Sequence, residues 1–180
     1  SKCYSVDQMR RDTYGNSPYR RLANAIDTLD PDGKKGVFAG IKRAALSSYY
    51  TPTKIASAMN SFLSLAGFKG GTFLDPSMGN GIFEGTLPKD IQERTMITGI
   101  ELDWLSGQIS RALYPDADVR ICGVEKSALT PDSQDVVTSN VPFGDIEVND
   151  PTWKNDNSPV KRSAQKRIHN YYAVKMLELT

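Results

Sequence analysis

A chain of 180 residues can bury one substantial core and carry a helical extension, but not two full domains. Its 22 Lys plus Arg against 21 Asp plus Glu leave a net charge of +1, which excludes a global attraction to phosphate backbones and leaves only local patches for nucleic-acid contact. Two distant cysteines, Cys3 and Cys122, without CxxC or CxxH spacing argue against a zinc site or disulfide framework, and no apolar run approaches the roughly 18 residues of a membrane span, so a reducing, cytoplasmic setting without a membrane partner is expected.

From Val6 to about Ala45 the text is polar, with Arg10-Arg11, Arg20-Arg21 and Lys34-Lys35, and it is punctuated by Gly15, Pro18, Pro31-Asp32-Gly33 and Gly40. This predicts a helical, partly exposed arm over residues 1–46. Its clearest helix runs from Tyr19 to Leu29, with Leu22, Ile26 and Leu29 at helical spacing, and stops at Pro31. A second helix is expected after Thr51-Pro52, with Pro52 in its first turn, an apolar face of Ile55, Met59, Phe62 and Leu63, and an end at Gly67. Alternating units follow: strand 72–75, helix 81–87, strand 96–101, helix 103–113, strands 118–122 and 135–139, and helix 168–179. Strands separated by helices predict an α/β fold with a parallel sheet, occupying residues 47–180. Residues 147–167 are rich in Asn, Asp, Pro, Lys and Arg and are expected to form a long polar loop, functional or disordered.

Two strand ends carry the chemistry. Phe73-Leu74-Asp75-Pro76-Ser77-Met78-Gly79-Asn80-Gly81 is a strand entering a glycine turn, and Gly79 and Gly81 allow a sharp turn and close approach to a ligand. Glu101 ends the next strand about 20 residues later, the separation at which an acid reaches ribose hydroxyls. Asp75 would repel a dinucleotide pyrophosphate, yet suits a cofactor with a cationic end, an amino group or a sulfonium. The spacing misses GxGxxG, and no GxxxxGK[ST] is present. Together Asp75, the glycine pair and Glu101 point to S-adenosylmethionine, with Glu125 at the crevice rim beside adenine. Taken singly, the turn is also compatible with an ordinary strand-to-helix connection, and Glu101 and Glu125 with solvated acids.

The second strand end is Asn140-Val141-Pro142-Phe143, a polar-aromatic tip closing the run Val136-Val137. In a doubly wound sheet both tips should face one crevice beyond the carboxyl ends of the strands. The tip resembles the (N/D)PP(Y/F) motif of the amino-methyltransferases, which implies an exocyclic amine such as that of adenine as substrate, a poor nucleophile because its lone pair is delocalised into the ring. Acceptors can draw it toward tetrahedral geometry: the Asn140 side-chain carbonyl and the Val141 main-chain carbonyl each take one N–H. Phe143 can then stack on a base extruded from the duplex. By itself the tip could also be a strand-ending turn.

These segments resemble those of the amino-methyltransferases. Asp75-Pro76-Ser77-Met78-Gly79-Asn80-Gly81 is similar to their motif I, Gly99-Ile100-Glu101-Leu102-Asp103 to motif II, Asn140-Val141-Pro142-Phe143 to the (N/D)PP(Y/F) motif IV, and Tyr49-Tyr50-Thr51-Pro52 to motif X of N6-adenine DNA methyltransferases. Asn140-Val141-Pro142-Phe143-Gly144 and Ile168-His169-Asn170-Tyr171-Tyr172 look most like the adenine methylase domains of large phage and mobile-element proteins, often fused to helicases. The resemblance implies a Rossmann-like S-adenosylmethionine-dependent fold and methyl transfer to adenine N6 in DNA. It implies that Tyr50 and Thr51 line the methionine end of the cofactor, Asp75, Gly79 and Gly81 form its floor, Glu101 binds ribose, Glu125 borders adenine, and Asn140, Val141, Pro142 and Phe143 carry the transfer. Val141 departs from the commoner proline, keeping the carbonyl and adding an N–H.

Lys161, Arg162, Lys166 and Arg167 follow the tip and are candidates for DNA phosphate or base contacts, although a solvated charge run reads the same way. His169, the single histidine, is read as structural; Trp104, which closely follows Glu101 and is a candidate neighbour of the cofactor adenine, and Trp153, in the long loop, are ambiguous. Only four strands are counted where the family fold has seven. Residues 47–180 are therefore expected to be the cofactor-binding portion of a larger protein, and strand 135–139 an apolar edge open to self-association. Protein-glutamine or RNA methylation, and a noncatalytic cofactor- or DNA-binding module, are the alternatives.

Overall fold

The computed structural model describes residues 24–47 and 50–180. The Arg10-Arg11 and Arg20-Arg21 pairs, Cys3, the start of the expected Tyr19 helix and Tyr49 lie outside the described residues. The chain forms two compact units that divide between Tyr49 and Tyr50. Among the described residues no helix is long and apolar enough to cross a membrane.

In the first unit a helical turn at 24–27 is followed by helix α1, Pro31–Ser47. Pro31-Asp32-Gly33 therefore opens a helix rather than only closing one, and Gly33, Gly36 and Gly40 lie inside it. Asp30 explains the start. Its side chain accepts the Gly33 N–H at 2.7 Å, and Pro31 occupies the first-turn position where a missing N–H costs nothing.

The second unit opens with α2, Thr53–Leu65, whose N-cap is Pro52. Of the expected apolar face, Leu63 alone packs against the core. Ile55 and Phe62 are 53% and 69% exposed, whereas Ala56 and Asn60 are buried and Leu63 packs beside them. The reason is local. Asn60 Nδ2 donates to the Phe83 carbonyl at 2.7 Å and to Thr86 Oγ1 at 2.9 Å, drawing the Ala56–Asn60 stripe onto the next helix.

Strands β1 (Gly71–Asp75), β2 (Thr95–Glu101), β3 (Asp118–Ile121) and β4 (Val136–Val137) form one parallel sheet in the order β3-β2-β1-β4. The chain adds β2 and β3 on one side of β1 and then returns to place β4 on the other. The switch point thus lies between β1 and β4, and a ligand crevice belongs at their carboxyl ends. Between the strands lie α3 (Ile82–Gly85), α4 (Lys89–Gln92) and α5 (Trp104–Leu113), and α6 (Pro159–Ala164) and α7 (Ile168–Leu179) close the chain. The helix expected over 81–87 stops at Gly85, and β4 is shorter than the expected 135–139. A two-residue edge offers little backbone for pairing with another chain.

Successive residues of β1 face opposite layers. Phe73 packs with Ala56, Phe83, Leu87, Ile91 and Val136, while Leu74 packs with Ile100, Val124, Trp153, Tyr171, Tyr172 and Leu179. Full burial on both faces explains the apolar run, each large side chain contributing roughly 2 kcal/mol.

The polar stretch 147–167 is ordered, not a bare loop. It holds a 3-10 turn at Pro151–Trp153 and α6, and it buries Asp150 and Trp153. Asp150 accepts from the Thr152 N–H at 2.8 Å and the Tyr171 hydroxyl at 2.7 Å, and pairs with Lys175 at 3.2 Å. Glu178 accepts from Trp153 Nε1 at 2.9 Å and pairs with Lys161 and Lys175. Polar residues here satisfy one another instead of facing water. Lys175→Met should cost about 3–5 kcal/mol in denaturant unfolding, because it strands the Asp150 carboxylate in the core.

Candidate active site

The turn after β1 is held from several sides. The Ser77 N–H donates to Asp75 Oδ1 at 2.9 Å, the Met78 N–H to the Ile100 carbonyl at 2.9 Å, and the Gly79 N–H to Glu101 Oε2 at 2.7 Å. Ser110 Oγ donates to the Gly79 carbonyl at 2.7 Å and the Tyr114 hydroxyl to the Gly81 carbonyl at 2.5 Å. Gly79 and Gly81 have φ of +57° and +75°, in the left-handed region. A Cβ on Gly79 would lie 3.5 Å from the Tyr50 ring, whereas one on Gly81 would collide with the ring of Tyr114. Tyr50, Gly79, Asp75 and Glu101 are therefore brought together as one cradle. Gly81→Ala should destabilise the fold by roughly 3 kcal/mol, read by chemical denaturation, from backbone strain and overpacking together.

The cradle is joined to the second strand end. Ser139, the residue before Asn140, donates its hydroxyl to Asp75 Oδ1 at 2.7 Å. Asp75 is 1% exposed, and its second oxygen has no hydrogen-bond partner. Burial pushes its carboxyl up to about 7, against the lowering effect of the Ser139 and Ser77 bonds, and the Glu101 charge adds to the rise. Glu101 is likewise raised by burial, partly offset by the N–H groups of Asp103 and Gly79. Glu84, on α3, is fully buried with both oxygens unpartnered, and burial followed by the Asp75 charge holds it well above the usual carboxylate range. Among the described residues none of these three carboxyls makes an ion pair. A ligand with a cationic group fits such a floor, and a polyphosphate does not. Thr51 Oγ1 is a further buried atom without a partner.

At the tip, Val141 packs against the Leu74–Tyr172 core and Phe143 is 74% exposed. The Phe143 ring stacks on His169, with centroids 5.9 Å apart and planes at 28°. His169 thus has a ring partner that its sequence context did not announce. Asn140 is exposed at the mouth of the same strand. Glu125 sits on the turn Val124–Lys126 after β3, its side chain 22% exposed. One residue missed in the sequence lies within reach of the acids: Tyr172 of α7 is buried, and its hydroxyl is raised by burial and then by the charges of Glu101, Glu125 and Asp75. The paired Tyr171-Tyr172 was a usable signal, but only tertiary packing says which ring faces the acids.

The basic candidates separate. Lys161 does not face outward as a phosphate contact would: its ammonium lies 2.8 Å from Asp156 and 2.6 Å from Glu178, over the Trp153 ring. Arg167 pairs with Asp145 at 3.2 Å on the surface. Arg162 and Lys166 are exposed.

A parallel sheet ordered β3-β2-β1-β4, with helices around it and a glycine turn after its central strand, is the Rossmann-like fold of the S-adenosylmethionine-dependent methyltransferases. It is similar, with a TM-score of 0.57 and 15% identity over 97% of this chain and 60% of the other, to a protein from Listeria monocytogenes assigned as a class I S-adenosylmethionine-dependent methyltransferase. The type I restriction-modification system methyltransferase subunit from Streptococcus thermophilus matches with a TM-score of 0.57 and 16% identity, over 99% of this chain and 43% of that one. A modification subunit assigned to a type I restriction enzyme of Vibrio vulnificus matches with a TM-score of 0.53 and 18% identity, over 96% and 38%. In sequence, the chain is 32% identical over 192 residues to Defense against restriction protein B of Escherichia phage P1, a match covering 97% of this chain and 8% of that protein. The chain thus spans a small part of this relative and less than two thirds of these structures. No family model matches the chain.

Proposed function

We propose that this chain is the cofactor-binding portion of an N6-adenine DNA methyltransferase, residues 47–180 forming the methyltransferase part and residues 1–46 a helical extension, within a larger protein. The observation that carries it is the Ser139 to Asp75 hydrogen bond of 2.7 Å, which joins the floor of the cradle to the residue preceding Asn140. Tyr50, Thr51, Asp75, Gly79, Gly81, Glu101 and Glu125 would hold S-adenosylmethionine, with Tyr172 beside them. When bound, this cofactor supplies an electrophilic methyl group on a sulfonium. Asn140 Oδ1 and the Val141 carbonyl accept the two N–H bonds of the amino group and aim its lone pair; Pro142 stiffens the turn; Phe143 stacks on the extruded base. Arg162 and Lys166 supply phosphate contacts, with Arg167 next to them, and Lys161 serves the fold instead.

A DNA substrate is supported by the company this chain keeps: the phage relative is named for defence against restriction, and two of the similar structures are restriction-modification subunits. The test is transfer of tritiated methyl from S-adenosylmethionine to unmethylated phage DNA, followed by nucleoside analysis. Label in N6-methyladenine is expected. Label in RNA or in protein glutamine would replace the substrate, and cofactor binding without any transfer would make the chain a binding module.

A further inference from the structure

Two buried carboxyls flank the glycine turn, Asp75 at the end of β1 and Glu84 on α3, and the Asp75 charge acts on Glu84; the proposed reaction uses only Asp75. Glu84 is 0% exposed, and its oxygens have no partner in hydrogen-bonding geometry beyond the weak influence of its own N–H. Asp75, 1% exposed, receives the Ser77 N–H and the Ser139 hydroxyl on one oxygen. Among the described residues, the titratable groups acting on the pair are Glu101 from β2 and Tyr172 from α7 toward Asp75, and Tyr114, just past α5, toward Glu84. None of them is a cation, and among the described residues neither carboxyl forms an ion pair. Two neighbouring buried carboxylates without a counter-charge do not both ionise, so one proton stays. Hydrogen bonds decide where. Donors aimed at Asp75 favour its charged form, whereas Glu84 has almost nothing to favour its own.

We propose that Glu84 keeps the last proton of the Asp75 and Glu84 pair, so that Asp75 is the member that ionises, holds Ser139 and receives a cationic amino group. The proton assignment stands on the buried pair alone, while its use in binding rests on the methyltransferase reading.

A folded Glu84 that stays protonated above its unfolded value of 4.5 contributes stability that is complete below that pH and is lost as pH rises. Glu84→Gln, which mimics the protonated acid, should therefore unfold within about 3 °C of wild type at about pH 5 and about 10 °C or more above it at about pH 8. Infrared difference spectra, wild type minus E84Q at about pH 8.5, where Asp75 is ionised, should show the carbonyl band of a protonated carboxyl. In calorimetry with S-adenosylmethionine, E84Q should bind within about threefold of wild type and keep the loss of affinity on acidification, whereas Asp75→Asn should abolish that loss. Parallel melting curves at all pH values, or absence of the carboxyl band, overturn the proton assignment. An E84Q chain that folds but loses more than about threefold in affinity shows that Glu84 acts as an anion, which also overturns it. If wild type binds no S-adenosylmethionine, the methyltransferase reading and the seat fall together, and the melting and infrared results still decide where the proton sits.

Discussion

Asn140→Ala is expected to lower methyl transfer to DNA by about a hundredfold or more while S-adenosylmethionine affinity stays within about threefold. Asn140 leaves the sheet at the mouth of β4, next to Ser139, whose hydroxyl donates to Asp75 on the cofactor floor. Removing the amide takes away one of two acceptors that shape the amine, an interaction made only when the amine reacts. The loss should therefore appear in the rate of the chemical step and not in cofactor binding. Single-turnover transfer and calorimetry on the same preparation separate the two. Parallel loss of both would mean that Asn140 belongs to the cofactor seat, and retention of transfer would remove it from the reaction.

Asp75→Asn should weaken S-adenosylmethionine binding by roughly ten- to a hundredfold, since a desolvated carboxylate facing an ammonium group is lost. Wild-type affinity should fall on acidification through about pH 7, where Asp75, pushed up by burial, takes a proton and stops attracting the cation. It should fall again above about pH 8, where the cofactor's own α-amino group loses its proton. The variant keeps only the alkaline limb. Stability runs the other way. Asp75 is raised above its unfolded value of 3.8, so its favourable contribution is complete below that pH and is lost as pH rises through about 7. The cofactor-free Asn variant, able to keep the Ser77 and Ser139 bonds through its amide oxygen, should therefore melt above wild type at about pH 8. A variant that binds as tightly as wild type with the same acid limb would move the cation site elsewhere.

Much of the architecture was legible because its signals are short-range. The glycine pair after Phe73-Leu74-Asp75 marked the turn, the alternation of apolar runs marked four strands, and the spacing over Ile168–Leu179 marked the last helix. The errors fell where a local pattern admits two tertiary answers. On α2, Ile55, Met59 and Phe62 form as regular a stripe as Ala56, Asn60 and Leu63, and only the Asn60 bonds to Phe83 and Thr86 select the second. At residues 147–167 polarity resembled a loop, because the partners that satisfy Asp150 and Lys161 lie on α7, about 20 residues further along.

By itself, the sequence determined the strand order of events along the chain, the glycine turn, and an acid and an amide at two strand ends, since backbone conformation and side-chain chemistry are properties of neighbours. Tertiary structure alone decided that Ser139 reaches Asp75, that Tyr172 enters the same acidic crevice, that Lys161 turns inward, and that Glu84 lies unpaired in the core. These depend on residues 64, 97, 17 and 9 positions apart meeting, and no local propensity carries information about such meetings or about the water they exclude.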